Sequence, residues 1–504
     1  MELSMELMPG RHLYEQIYEH IREEIRSGKL LAGEKLPSTR HLAATLRISR
    51  TTAELAYEQL EEEGYLVIRR GSGAYVCETQ SLLDRAEKEN GQEKKRTSQP
   101  QEEEAKAPAL HPGEAVIDFS PRTIDMSAFP YATWRRILRG ILTGDRADLF
   151  RRGDPQGDLE LRTTIARYLH LSRGCKCGPE QIVIGAGNDY LLMLLGILLG
   201  NGLRRDPDTS SEPDQIPESA GKGKPVLRIG MESPTYLRAA DVMRSVGFSV
   251  EPVRSDGSGM RADALEESGS SLAYVMPARQ FPTGVVMPYP RRTELLAWAG
   301  AGKDRYLLED DYDSEFKYRG RPVPSLQSMD ETGSVIYLGT FSKSIAPAIR
   351  VSYLILPEKL LPVFHEKAGF FSCTVPRLDQ AILNEFIQEG YFERYLNRMR
   401  NRYRAKHDLM LEVLKPLEKK FEIRGQGSGL HLILREKENW EKSEQNLMEA
   451  AAKEGVLVYP MSEQNLPESG PGDLGAPAIL LGYAALTEEE IRDGADKLIR
   501  VWGQ

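Results

Sequence analysis

The sequence predicts a multidomain protein: a winged helix-turn-helix head, then a large α/β body that ends in a smaller α+β subdomain. Three observations predict it. Short amphipathic segments between Leu13 and Gly64 lead into two apolar runs around a glycine turn, the stretch 78–114 is polar and has no Phe, Tyr or Trp, and from Val116 onward strand-like apolar runs alternate with helical periods. The boundaries that follow are 10–77 for the head, 78–114 for a flexible connector and 115–504 for the body, whose subdomain begins at about 358.

In the head, Leu13, Ile17, Ile21 and Ile25 recur every four positions and predict one helix, stopped by Ser27-Gly28. Pro37-Ser38 opens a second helix with Ser38 as N-cap and Leu42, Ala43 and Leu46 facing inward. Ser49 caps a third, which carries Ala53, Ala56, Tyr57 and Leu60 and ends near Gly64. Tyr65–Ile68 and Ala74–Val76 then read as strands on either side of Gly71-Ser72-Gly73. The connector cannot bury enough apolar area to offset its ordering entropy. A second polar stretch, 201–224, reads as an exposed insertion in the body.

Bulk properties exclude several classes. The 504 residues are too many for one core, and a net charge of −9 argues against a protein that coats nucleic acid or membranes without specificity. Four cysteines, Cys77, Cys175, Cys177 and Cys373, make no disulfide framework, so a reducing cytoplasm is expected. Residues 1–10 lack a basic stretch leading into an apolar core, and the run Leu191–Leu199 falls far short of the ~20 residues of a membrane helix. Neither secretion nor membrane insertion is expected, and no metal-ligand spacing is present.

The chemistry concentrates after predicted strands. Tyr306–Glu309 leads into Asp310-Asp311-Tyr312, and Val335–Leu338 leads into Gly339-Thr340-Phe341-Ser342-Lys343-Ser344, with Arg350 beyond. A lysine forms imines only where its charge is suppressed and an aldehyde is held beside it; a carboxylate with phosphate-binding hydroxyls is the company that pyridoxal 5'-phosphate demands. Earlier, Gly185-Ala186-Gly187-Asn188 turns from a strand into a helix, and such a helix start directs N–H groups and the positive dipole end at an anion.

These motifs carry a resemblance. Gly33-Glu34-Lys35-Leu36-Pro37-Ser38-Thr39-Arg40, Ser49-Arg50-Thr51-Thr52, Leu60–Leu66 and Gly71–Val76 resemble the winged helix-turn-helix of GntR-type bacterial regulators. The body resembles the fold-type I aminotransferases of class I, and the combination resembles the MocR/GabR family of transcriptional regulators. For the head the resemblance implies DNA contacts by Arg40, Ser49, Arg50, Thr51 and the wing at Gly73, and a recognition helix indeed meets the major groove with its N-terminal end. Acidic residues roughly balance the basic ones there, so affinity should rest on a focused patch and on dimerisation.

For the body the resemblance implies pyridoxal phosphate, with Lys343 as the Schiff-base lysine. Ala186, Gly187, Asn188, Thr340, Ser342 and Arg350 would hold the phosphate, Asp310 would face the pyridine nitrogen, Tyr312 the phenolic oxygen and Tyr236 the ring, and Arg238 would lie near an effector pocket. Three departures stand out. Arg279 takes the place of the family's histidine before Gln280-Phe281-Pro282-Thr283-Gly284; Phe281 takes the place of the aminotransferases' asparagine, leaving its contact to Tyr312; and Leu480 takes the place of the arginine that clamps a substrate carboxylate. The resemblance also implies a homodimer with heads swapped across the bodies.

Two functions follow as expectations. In one, the body senses an amine, amino acid or B6 vitamer through Lys343 and controls operator DNA binding by the head. In the other, the body turns over as an aminotransferase. The head, for which a free-standing aminotransferase has no use, favours the first.

Overall fold

In the computed structural model of the chain, the residues described are 13–27, 29–46, 48–69, 73–77, 116–144, 146–202, 227–318, 323–425, 427–437, 443–470 and 478–503. The expected connector, most of the expected insertion and the wing tip at Arg70-Gly71-Ser72 lie outside these residues.

The head forms as its periodicity requires. Helices α1 (Leu13–Arg26), α2 (Thr39–Leu46) and α3 (Arg50–Glu62) precede the antiparallel strands β1 (Leu66–Arg69) and β2 (Gly73–Val76). Ile17, Ile21 and Ile25 meet Leu42, Ala53, Ala56, Tyr57 and Leu60 in one core, whereas Leu13 is exposed because the stripe begins a turn later. Both N-caps are real: Ser38 Oγ accepts from the His41 N–H at 3.2 Å and Ser49 Oγ from the Thr52 N–H at 3.1 Å.

The body is built on a seven-stranded sheet. Its strands are β3 (Ile182–Gly185), β4 (Arg228–Glu232), β5 (Ser249–Val253), β6 (Leu272–Val275), β7 (Tyr306–Asp311), β8 (Val335–Thr340) and β9 (Ser352–Ile355). The spatial order is β3-β9-β8-β7-β6-β4-β5, with β9 antiparallel to both neighbours and the remaining pairs parallel. β3, β7 and β8 are buried along their whole length, as strands covered on both faces must be. The helices that matter for the site are α4 (Asn188–Gly202), α5 (Leu237–Ser245) and α6 (Tyr289–Gly300). Because β3, β4, β6, β7 and β8 run the same way, the loops at their carboxyl ends collect along one rim.

The C-terminal subdomain has its own antiparallel sheet, β10 (Phe421–Arg424), β11 (His431–Glu436), β13 (Ala478–Gly482) and β12 (Tyr459–Pro460) in that order. The run Val456–Tyr459 divides its pairing: Val456-Leu457 lies parallel to Ile117-Asp118, and Tyr459 joins β13. That exchange ties the first residues of the body to the last subdomain. Among the described residues no helix is long and apolar enough to cross a membrane.

Candidate functional site

The rim of the large sheet gathers the residues singled out for the body. Lys343 follows β8 by a short turn in which the Thr340 hydroxyl accepts from the Ser342 N–H at 3.1 Å and from the Ser352 hydroxyl at 2.8 Å. Thr340 therefore shapes the turn as well as facing the rim. The Lys343 ammonium donates to the carbonyls of Arg122 at 2.9 Å and Pro121 at 3.2 Å. Burial, with Arg122 and Arg279 nearby, depresses its pKa to about 8 against the attraction of Asp313. A neutral ε-amine, the nucleophilic form, is then accessible near physiological pH.

Three acids lie at the end of β7 or just beyond it, and their partners tell them apart. Asp311 is bound by Arg173 at 2.6 Å and Asp313 by Arg279 at 3.0 Å. Asp310, on a fully buried strand end, has only the Tyr274 hydroxyl on Oδ2 at 2.5 Å, and its Oδ1 has no partner among the described residues. Burial raises its pKa to about 7, with Asp311 and Asp313 adding to the rise and Tyr274 opposing it. A cation placed against Oδ1 would restore the ionised carboxylate.

The phosphate-cradle motif has a defined shape. Gly187 adopts φ +91°, and the space its Cβ would take is filled by the guanidinium of Arg350, so only glycine serves there. Arg350 itself is left-handed, φ +50°, the one non-glycine residue of that kind among those described. It donates to the Ala186 carbonyl at 3.2 Å and reaches Asp189 at 3.4 Å. The side-chain oxygens of Asn188, Ser342 and Tyr312 are buried without hydrogen-bond partners. Buried polar groups left this way cost about 1–3 kcal/mol each unless a ligand, an ion or a water meets them. Orphaned oxygens beside Lys343, an open Asp310 carboxylate and a helix N-terminus together fit the phosphate, pyridine and aldehyde of pyridoxal phosphate.

Phe281 stands at the centre of a box of rings, with centroids 6.4 Å from Tyr236, 6.3 Å from Tyr312 and 5.6 Å from His431. Its turn is clamped by Arg279, buried beneath Gly429 and donating to Asp313 and to the His431 carbonyl at 3.2 Å. His431 donates through Nε2 to the Pro282 carbonyl at 3.0 Å, which leaves Nδ1 toward Arg279, and burial beside that guanidinium pushes its pKa well below the usual range. Arginine at 279 thus joins the turn to the C-terminal subdomain. Arg238 is exposed and 3.5 Å from Asp189, the acid that Arg350 also reaches. Leu480 is fully buried in β13, opposite Ile433 and Tyr459, in a hydrocarbon cluster.

In the head, Arg40, Ser49, Arg50 and Thr51 are all exposed at the starts of α2 and α3, with Arg50 bridged to Glu54 at 2.7 Å. Gly73, φ +112°, opens β2 opposite Arg69, and the Lys35 and Arg69 cations lie over the Tyr75 ring. Sequence reasoning missed four contributors to the pocket: Tyr274, the carbonyls of Pro121 and Arg122, and Thr374, whose hydroxyl accepts from the Ala186 N–H at 2.9 Å. Tyr274 sits within an ordinary apolar strand and the others lie far from Lys343 in the chain, so no local signal marked them.

Fold and rim define an aminotransferase-like body behind a DNA-binding head. The family of bacterial regulatory proteins, gntR type, matches residues 13–76, and aminotransferase class I and II matches residues 127–498. The HTH-type transcriptional regulator YhdI of Bacillus subtilis is 37% identical over 97% of this chain and 96% of its own length. The probable rhizopine catabolism regulatory protein MocR of Rhizobium meliloti is 31% identical over 96% and 93%. Among solved structures, an archaeal alanine:glyoxylate aminotransferase superposes with a TM-score of 0.64 at 27% identity, covering 77% of this chain and 91% of its own. The chain belongs to the MocR-type transcriptional regulators, in which a GntR helix-turn-helix domain is fused to an aminotransferase class I and II domain.

Proposed function

We propose that the body holds pyridoxal 5'-phosphate on Lys343 and that an amine, an amino acid or a B6 vitamer meeting it there changes operator binding by the head. When bound, that cofactor supplies an aldehyde for condensation with amines and a ring that withdraws electrons. Lys343 contributes the ε-amine. Asp310, whose Oδ1 is open, would hold the pyridine end, and a positive charge there would keep a carboxylate ionised in so dry a place. The helix start at Asn188, the hydroxyls of Thr340 and Ser342 and the Arg350 guanidinium would hold the phosphate, with Ala186 and Gly187 shaping the turn, since their own N–H groups are taken by Thr374 and Gly185. Tyr312 would serve the phenolic oxygen and Tyr236 the ring.

The observation that carries this reading is the unpartnered Asp310 Oδ1 on the same rim as a half-buried lysine. Leu480 weighs against turnover, since a leucine packed in hydrocarbon offers no clamp for a substrate carboxylate. Arg238, exposed beside Asp189, is a cation offered to an effector. In the head, Arg40, Arg50 and Thr51 enter the major groove, with Ser49 and the Gly73 wing on the backbone. A homodimer with exchanged heads would bring two reading surfaces to one operator.

The test is to add pyridoxal phosphate to the purified full chain and read visible absorbance and duplex binding together, while amines, amino acids and B6 vitamers are titrated. An absorbance change coupled to a change in DNA affinity is the expected result. Sustained release of keto acid, with no effect on DNA, would instead establish an aminotransferase.

A further inference from the structure

The head is seated on the body at a small joint. Gly64, which closes the turn after α3, adopts φ +74°, and a Cβ there would approach Pro288 Cβ to 2.6 Å and the Tyr289 nitrogen to 3.0 Å. Glycine is needed twice over, for the left-handed backbone and for the close approach. Next to it the Tyr65 ring stacks on Tyr289, with centroids 4.4 Å apart and planes 29° from parallel. The Tyr289 N–H donates to the Glu63 carbonyl at 2.5 Å.

Each side of this joint is anchored. Within the head, the Glu63 carboxylate accepts from Tyr18 of α1 at 2.7 Å and from Gln59 of α3 at 2.5 Å, so the turn moves with the helix that reads DNA. Within the body, Tyr289 begins α6 at the end of a short segment that starts at Phe281, the residue boxed by Tyr236, Tyr312 and His431. That segment is stiffened along its length. The Gln280 N–H donates to Val285 at 2.8 Å and the Met287 N–H to Pro277 at 3.0 Å, while the buried Arg292 holds the carbonyls of Met287 and Pro277 at 2.8 and 2.9 Å. A shift at Phe281 has little slack in which to dissipate before it reaches Tyr289.

We infer that the Gly64-Tyr65 turn seated on Pro288-Tyr289 is the joint through which the state of the Lys343 pocket sets the placement of the DNA-reading head. Arg40, Ser49, Arg50 and Thr51 stay exposed while the joint is closed, so it places the reading surface and does not mask it. The inference rests on the pocket reading above, and in a homodimer with exchanged heads the same two surfaces would meet between protomers. Its own content is the residue pair that conveys the signal.

The test uses the full chain, pyridoxal phosphate as the probe, and a duplex selected by the wild-type protein from a random pool. Loading should change hydrogen exchange at the Tyr289 amide severalfold and duplex affinity about tenfold, within the range usual for coupled sites. Tyr289→Ala should develop the same visible band yet lose most of the affinity change, and Tyr289→Phe, which keeps the stack, should behave as wild type. If loading leaves the wild-type Tyr289 amide exchange unaltered, or if Tyr289→Ala keeps the full affinity change, the joint is not the conduit. A wild-type protein that stays colourless would overturn the Lys343 reading itself, so the two failures are distinguishable. The exchange measurement on wild type also decides the matter should Tyr289→Ala fold poorly.

Discussion

The proposed DNA-reading face and the Lys343 pocket both use helix starts, yet they are built on opposite principles. In the head, Arg40, Ser49, Arg50 and Thr51 are exposed, and Arg50 already has a partner in Glu54. In the body, Asp310, Tyr312, Asn188 and Ser342 keep buried oxygens without partners. An exposed cation costs almost nothing to maintain, so its presence says little by itself. A buried oxygen without a partner is costly, so its presence points to a missing ligand. The pocket can be recognised from its energetics, whereas the reading face must be recognised from its pattern.

If that contrast is right, substitutions in the pocket should act all or none, and those on the head should act in graded steps. The sharpest case is Lys343→Ala, which should abolish the visible band formed with pyridoxal phosphate while circular dichroism and the melting profile stay as in wild type; a surviving band would remove the lysine from its role. Next comes Arg279→Ala. Removing one member of the buried Arg279–Asp313 pair should cost about 3–5 kcal/mol in urea unfolding, because the Asp313 charge stays behind, buried and uncompensated. A loss below 1 kcal/mol, the scale of an exposed pair, would mean that the clamp is solvated.

On the head, Arg50→Ala should weaken binding to a selected duplex by about 1–3 kcal/mol, a factor of roughly 5 to 150, with the pocket's absorbance unchanged. Equal binding by the variant would take α3 out of the groove. Smaller again is the pH effect on cofactor attachment. Since burial lowers the Lys343 pKa to about 8, the rate should rise about tenfold between pH 7 and pH 9 and flatten beyond, where an ordinary lysine near 10.5 would keep climbing. The same depression fixes a sign for stability: between about 8 and 10.5 the unfolded chain holds a proton that the folded one has released, so this group's contribution rises with pH there. The least effect belongs to Glu54→Ala, which should change stability by no more than about 0.5 kcal/mol, since an exposed pair one helical turn apart is worth little.

The amino-acid order alone determined much of this protein. Fourfold spacing of Ile17, Ile21 and Ile25, the caps Ser38 and Ser49 and the strand-end placing of Asp310 and Lys343 are local properties, written into neighbouring residues by backbone geometry and hydrophobic period. Tertiary structure alone decided which groups were left without partners. Asp310, Asp311 and Asp313 look alike in the chain, and only folding gave arginines to two of them and a single tyrosine to the third. Tyr274, Thr374 and the Pro121-Arg122 carbonyls joined the pocket by the same route, as did Tyr289, on which the head rests. Hydrogen bonds and charge pairs depend on distances between segments remote in sequence, and those distances exist only once the sheet has brought its strand ends to one rim.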